Sequence, residues 1–185
     1  MFKIDVGDDV IAYSEDQVSR YNFGQRSHAN GSKEEQTTGV IGQCVVMDMF
    51  GVGYVDGSSG FDNGIDISFN GVGLDVKTMG RTVDPRPEYT NNLMASQMSY
   101  DTDAYIFCSY NKKSRNLTVC GWLPKSEIRN VGRHYEKGTV RTRADKTTFV
   151  TKADMYEIDN SVLYEADTID GLKSSIMSYY ETICQ

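Results

Sequence analysis

The dipeptide Asn70-Gly71 constrains this chain more than any other feature. Two-residue turns of this kind need positive φ at both central positions, which Asn-Gly accepts at low steric cost, so the pair joins two antiparallel strands and sets their register. Counted outward from the turn, Phe69 faces Val72, Ser68 faces Gly73, Ile67 faces Leu74 and Asp66 faces Asp75. Side chains alternate along a strand, and directly opposed residues share a face. One face of the hairpin over Ile65 to Thr78 then carries Ile65, Ile67, Phe69, Val72, Leu74 and Val76. All are apolar, and burying them stabilises the hairpin by about 1.5–3 kcal/mol per large side chain.

The opposite face carries Asp66, Ser68, Gly73, Asp75 and Lys77. Two carboxylates opposed across a sheet, their Cβ atoms about 5 Å apart, destabilise it. A solvated face eased by Lys77 answers the problem in one way. A divalent cation held between Asp66 and Asp75 answers it in another, because Mg²⁺ favours one or two carboxylates completed by water and phosphate oxygens. Lys77, two residues beyond Asp75, reaches the same place and suits an attacking water or a phosphoryl oxygen.

Around the hairpin the chain alternates helix and strand. A helix is expected from about Glu35 to Phe50, stopped by Gly51, with Gly39 and Gly42 inside it. Each of those glycines costs about 1 kcal/mol relative to Ala, which implies close packing against the helix. Residues 22–32 read as a loop or arm, and residues 8–13 as the opening of a short helix. After the hairpin, Ala104–Tyr110 and Asn116–Trp122 read as strands joined by Asn111-Lys112-Lys113-Ser114. Short helices are expected around Glu127–Val131 and Ile169–Tyr180. The expected class is α/β (α+β), a mixed central β-sheet flanked by helices. The expected division is an N-terminal arm or helix over 1–34, a core over 35–152, and an acidic segment over 153–185 packed on that core.

Composition narrows the chemistry. No apolar run approaches the roughly 20 residues that cross a membrane, and the start Met1-Phe2-Lys3-Ile4-Asp5 lacks a signal-peptide pattern, so an intracellular (cytoplasmic) protein is expected. Cys44, Cys108, Cys120 and Cys184 are too far apart in sequence to suggest structural zinc, and His28 and His134 alone cannot build a histidine site. Any metal must be a hard ion held by oxygen. The net charge of −7 opposes nucleic-acid binding, yet its distribution is uneven. Residues 125–152 hold eight bases against three acids, net +5, whereas residues 153–185 hold seven acids against Lys173, net −6. A local basic stripe can hold phosphates whatever the overall charge.

Asp66, followed after a hairpin by Asp75-Val76-Lys77-Thr78, resembles the PD-(D/E)XK nuclease superfamily in its small phage and bacterial form. The likeness spans roughly residues 37–138 and includes Gly64-Ile65-Asp66-Ile67, the Asn70-Gly71 turn, Asp103-Ala104-Tyr105-Ile106-Phe107 and Val119-Cys120-Gly121-Trp122-Leu123. It implies a restriction-endonuclease-like core and Mg²⁺- or Mn²⁺-dependent hydrolysis of DNA phosphodiesters. By the resemblance Asp66, Asp75 and the backbone carbonyl of Val76 would ligate the metal, and Lys77 would orient or activate the water. The chain departs from the superfamily where many members carry a helix glutamate. Here Gly42 is followed by Gln43, a neutral candidate ligand, and the nearest glutamates are Glu34 and Glu35, of which Glu35 is the second candidate. Arg81, Arg86, Lys112, Lys113, Arg115, Arg129, Arg133, Arg141 and Arg143 are the candidate phosphate contacts. A homodimer is raised by the need to cut two strands, although no segment specifies one. The competing reading is a non-catalytic nucleic-acid-binding or assembly protein that retains a nuclease fold.

Overall fold

A computed structural model describes residues 1–24, 31–60, 63–142 and 146–183. Arg143, Asp145, His28, Cys184 and part of the expected 22–32 loop lie outside the described residues. In chain order the elements are β1 (Phe2–Asp5), α1 (Asp8–Arg20), α2 (Lys33–Phe50), β2 (Ile67–Phe69), β3 (Val72–Arg81), β4 (Thr90–Met94), β5 (Ala104–Asn111), β6 (Asn116–Pro124), α3 (Ile128–Val131), β7 (Arg133–Tyr135), β8 (Val140–Thr142), β9 (Thr148–Val150), β10 (Met155–Asp159) and α4 (Ile169–Ile183). The class is mixed α/β. A five-stranded sheet runs β1-β6-β5-β3-β2, a three-stranded sheet β4-β10-β7, and β8 and β9 form a separate ribbon. The large sheet is mixed because β3 and β5 pair in parallel while its other pairs are antiparallel.

The sequence periodicities account for these elements. In α1, Val10, Ser14, Gln17 and Val18 are buried, a stripe spaced by four, three and one that turns a single face inward. Helix α2 starts at a capping box, in which the Ser32 side chain accepts from the Glu35 amide and the Glu35 side chain accepts from the Ser32 amide. It stops at Gly51, whose φ of 75° gives the left-handed cap that glycine adopts without strain. Every residue of β5 is buried, as expected of a central strand covered on both faces. Its even-numbered residues Ala104, Ile106 and Cys108 join one core with Val10 of α1, Ile41 and Cys44 of α2, and Leu172 and Ile176 of α4. Tyr105 and Phe107 join a second core with Leu93 of β4, Ile128 of α3 and Ile158 of β10. The large sheet thus has the long helices on one face and the smaller sheet on the other.

Among the described residues, no helix is long and apolar enough to cross a membrane. Cys44, Cys108 and Cys120 are free and buried. Burial pushes the Cys120 thiol up to about 12 and the Cys108 thiol well above its ordinary value. Since the thiolate is the reacting species, these three cysteines are expected to resist an aromatic disulfide reagent at neutral pH and to react once the chain is denatured. Mass mapping of the labelled positions checks this; labelling of Cys108 in the native protein would contradict the packing described.

Candidate active site

Strand β3 is the spine of the site. Leu74 and Val76 belong to the core under α2, and Thr78 touches that helix directly. Gly73, Asp75 and Lys77, which alternate with them, turn to the opposite face. There the parallel register sets Asp75 beside Tyr105 and Lys77 beside Phe107. Asp75 is only 2% exposed, and the Lys77 ammonium lies 2.6 Å from its Oδ2. The same ammonium stands 6.0 Å from the centre of the Tyr105 ring. The Tyr105 hydroxyl donates to the Gln97 carbonyl at 3.1 Å. Burial, and next the charge of Asp75, raise the pKa of that hydroxyl, so it stays protonated as a donor.

The hairpin forms in the expected register from Phe69–Val72 to Ile67–Leu74, with Asn70 and Gly71 both at positive φ. It departs from expectation at Asp66. The Asp66 amide donates to the Leu74 carbonyl at 2.9 Å, so Asp66 does not continue the ladder opposite Asp75. A Cβ on Gly73 would lie 3.1 Å from Ile65 Cδ1, which places Ile65 on the Gly73 face and not with Ile67. The physical reason is a side chain that replaces a ladder bond. A regular hairpin would send the Val76 amide to Ile65, but here that amide donates to Asp66 Oδ2 at 2.7 Å. The N–H and C=O of one strand residue point to the same side, so the Val76 carbonyl is directed toward the carboxylate of Asp66, where β2 has ended.

Gln43 reaches this arrangement from α2. Its Nε2 donates to Asp66 Oδ1 at 2.7 Å. An amide oxygen turned toward a carboxylate would be repelled, so Gln43 faces Asp66 as a donor and orients it, where a ligand was expected. The helix can reach because Gly42 lies against β3: a Cβ there would come within 2.8 Å of Thr78 Cβ and 2.9 Å of its Cγ2. Gly39 has nothing within 4 Å, so the close packing expected at both glycines holds at one. Glu35 is not brought to the site. It is the exposed capping residue of α2, eight residues or about 12 Å of helix rise from Gln43.

The candidate phosphate contacts divide into occupied and exposed groups. Arg81 is half-buried, donates to the Thr90 carbonyl at 2.6 Å and lies over the Tyr89 ring, so it braces β4. Arg133 is paired with Asp159 at 2.6 Å, and Arg141 with the buried carboxylate of Glu157 at 2.7 Å. Lys112 pairs with Glu34, Arg115 with Asp8, and Arg86 stands 3.9 Å from Glu88. Lys113 and Arg129 are exposed and make no ion pair among the described residues. Within the basic stripe read from the sequence, Arg133 and Arg141 are thus matched by Asp159 and Glu157 of the acidic segment that follows it.

Sequence reasoning missed Tyr105, Gln97 and Asp103, whose Oδ2 accepts from the Gly73 amide at 2.8 Å and anchors the start of β3. Only the parallel joint between β3 and β5 brings them here, and no periodicity announces such a joint. Among the described residues no group of three or more His, Cys, Asp or Glu is placed to hold a metal. The hairpin supplies three oxygen donors to test against a metal: the Asp66 carboxylate, held by Gln43 and the Val76 amide, the Asp75 carboxylate, held by Lys77, and the Val76 carbonyl. The chain matches no protein-family model, no curated protein and no solved structure.

Proposed function

We propose that this chain is a metal-dependent endonuclease that hydrolyses DNA phosphodiesters on a restriction-endonuclease-like core. The observation that carries the reading is the buried Asp75–Lys77 pair on β3, in the same hairpin as an Asp66 carboxylate fixed by Gln43 and the Val76 amide. The donor set fits Mg²⁺ or Mn²⁺. It is all oxygen, it offers two carboxylates and a carbonyl, and it leaves the remaining positions to water and substrate. A zinc or copper site would call for nitrogen or sulfur donors that this set lacks.

On this reading Asp66, Asp75 and the Val76 carbonyl would hold the ion. Bound there, it would polarise the phosphate and lower the pKa of an attacking water. Gln43 fixes the rotamer of Asp66, so the carboxylate does not have to be ordered when substrate arrives. Lys77 Nζ can turn from Asp75 toward a phosphoryl oxygen or the water, supplying positive charge where negative charge develops. Tyr105 supports Lys77 from beneath, and its protonated hydroxyl ties the strand to the turn at Gln97.

The second reading, a nucleic-acid-binding or assembly protein without catalysis, draws on the same ion pair. Lys77 already neutralises Asp75 without any metal. Incubation with supercoiled plasmid and branched DNA, in Mg²⁺, Mn²⁺ or EDTA, separates the two. The nuclease reading expects metal-dependent cleavage that Asp75→Asn and Lys77→Ala each reduce by about a thousandfold, the scale of several kcal/mol of lost transition-state stabilisation. Intact DNA after incubation with the folded parent chain, alongside retained DNA binding, would favour the second reading.

A further inference from the structure

We infer that the β8–β9 ribbon is a docking surface for duplex nucleic acid, entering a groove with the face formed by Val140, Thr142, Thr148 and Val150. The inference rests on the reading of this chain as acting on DNA. Val140 pairs with Val150 and Thr142 with Thr148, so all four side chains share one face. All four are exposed, Val140 at 64% and Val150 at 55%. The other face is held to the body: Phe149 is half-buried, and Arg141 is bound to Glu157 and stacked 3.8 Å from the centre of the Tyr135 ring. A ribbon anchored on one face and bare on the other presents an uncharged, β-branched surface.

Charge says what would cover it. From Gly138 to Lys152 the sequence holds Arg141, Arg143, Lys146 and Lys152 against Asp145 alone, a local charge of 4 − 1 = +3 in a chain whose net charge is −7. Lys146 and Lys152 flank the ribbon, both are exposed, and neither makes an ion pair among the described residues. The bare face thus lies between cations that have not been matched from within, unlike Arg133 and Arg141. A two-stranded ribbon fits the major groove, where threonine hydroxyls can meet base edges and valine methyls can meet thymine. Lysines at its borders would meet the phosphates on either side.

The test uses the full-length chain in EDTA and a fluorescent duplex of about 30 base pairs, read by anisotropy across a salt series. Lys146→Ala with Lys152→Ala is expected to weaken binding at least tenfold and to lower the slope of log affinity against log salt by about 2. Thr142→Glu with Thr148→Glu is expected to weaken it further, with an unchanged thermal melt as evidence that the ribbon still folds. Parent-like affinity and slope in both folded variants would overturn the inference. So would a parent dimer that either variant turns into a monomer, since the face would then be covered by a second copy. The two proposals fail separately. Ribbon-dependent binding without cleavage sinks the nuclease and keeps the ribbon, while cleavage with parent-like binding in the ribbon variants does the reverse.

Discussion

Lys77→Met is expected to destabilise the metal-free chain by about 3 kcal/mol, because removing one partner of a buried ion pair leaves the other charge uncompensated. The side chains of Asp75 and Lys77 are 3% and 16% exposed, so water can do little to screen the loss. Asp75→Asn on top of Lys77→Met is expected to restore most of that stability, since the double variant buries a neutral amide and a thioether. Urea denaturation of the parent, both single variants and the double variant closes the cycle, and a coupling below about 1 kcal/mol would mean that the pair is solvated and contributes little. Adding Mg²⁺ supplies a readout that does not depend on turnover. A carboxylate stripped of its lysine should gain more from the cation, so the melting temperature of Lys77→Met should rise further than that of the parent, and that of the double variant should not rise. No differential rise would argue against metal at Asp75.

The second large effect is expected where helix meets strand. Gly42→Ala should destabilise the fold by about 2 kcal/mol, the net of an overpacking cost near 3 kcal/mol against about 1 kcal/mol of improved helix propensity. The new Cβ has no room, because Thr78 belongs to an interior strand and its Cβ moves only if β3 moves. Gly39→Ala, three residues away on the same helix and with nothing within 4 Å, should instead stabilise by up to about 1 kcal/mol. Opposite signs at two glycines of one helix are hard to explain by propensity alone. Thr78→Gly should recover part of the Gly42→Ala loss, though glycine in a strand carries its own cost. Equal melting temperatures for the two alanine variants would refute the close approach of α2 to β3. If the helix is displaced, Gln43 is displaced with it, so Gly42→Ala should also loosen Asp66 and depress any metal-dependent activity beyond what the melt predicts.

How far the sequence alone could reach is visible in these same residues. Asn70-Gly71 and the alternation around it were enough to place β2, β3 and the faces of Leu74, Asp75, Val76 and Lys77, because a two-residue turn leaves no freedom of register. The strong apolar runs of β5 and β6 were equally legible, as were α2 and α4. The failure at Asp66 has a definite cause. Periodicity assumes that the backbone supplies the ladder bonds, and it cannot foresee that a carboxylate will take the Val76 amide and shift the strand ahead of Ile67. Gln43 was identified, but its hydrogen bond to Asp66 was not, since a residue type does not reveal which end of an amide faces a partner. Strands β1, β4 and β7 to β10 were not anticipated. Most are short, several sit at sheet edges, and their polar residues form hydrogen bonds and ion pairs, such as Arg141 with Glu157, that only tertiary placement reveals.

The parallel joint between β3 and β5 also bears on when the site comes into being during synthesis. The hairpin carrying Asp66, Asp75 and Lys77 leaves the ribosome before β5 and can close on its own turn. Tyr105 and the strand that carries it arrive some thirty residues later, and β6 must follow before β5 has a neighbour on its far side. Pairings this distant in sequence form late, after the cost of closing the intervening loop has been met. A nascent chain that has exposed its acidic hairpin therefore still lacks the floor beneath Lys77, and the proposed chemistry would stay silent until β5 and β6 are made.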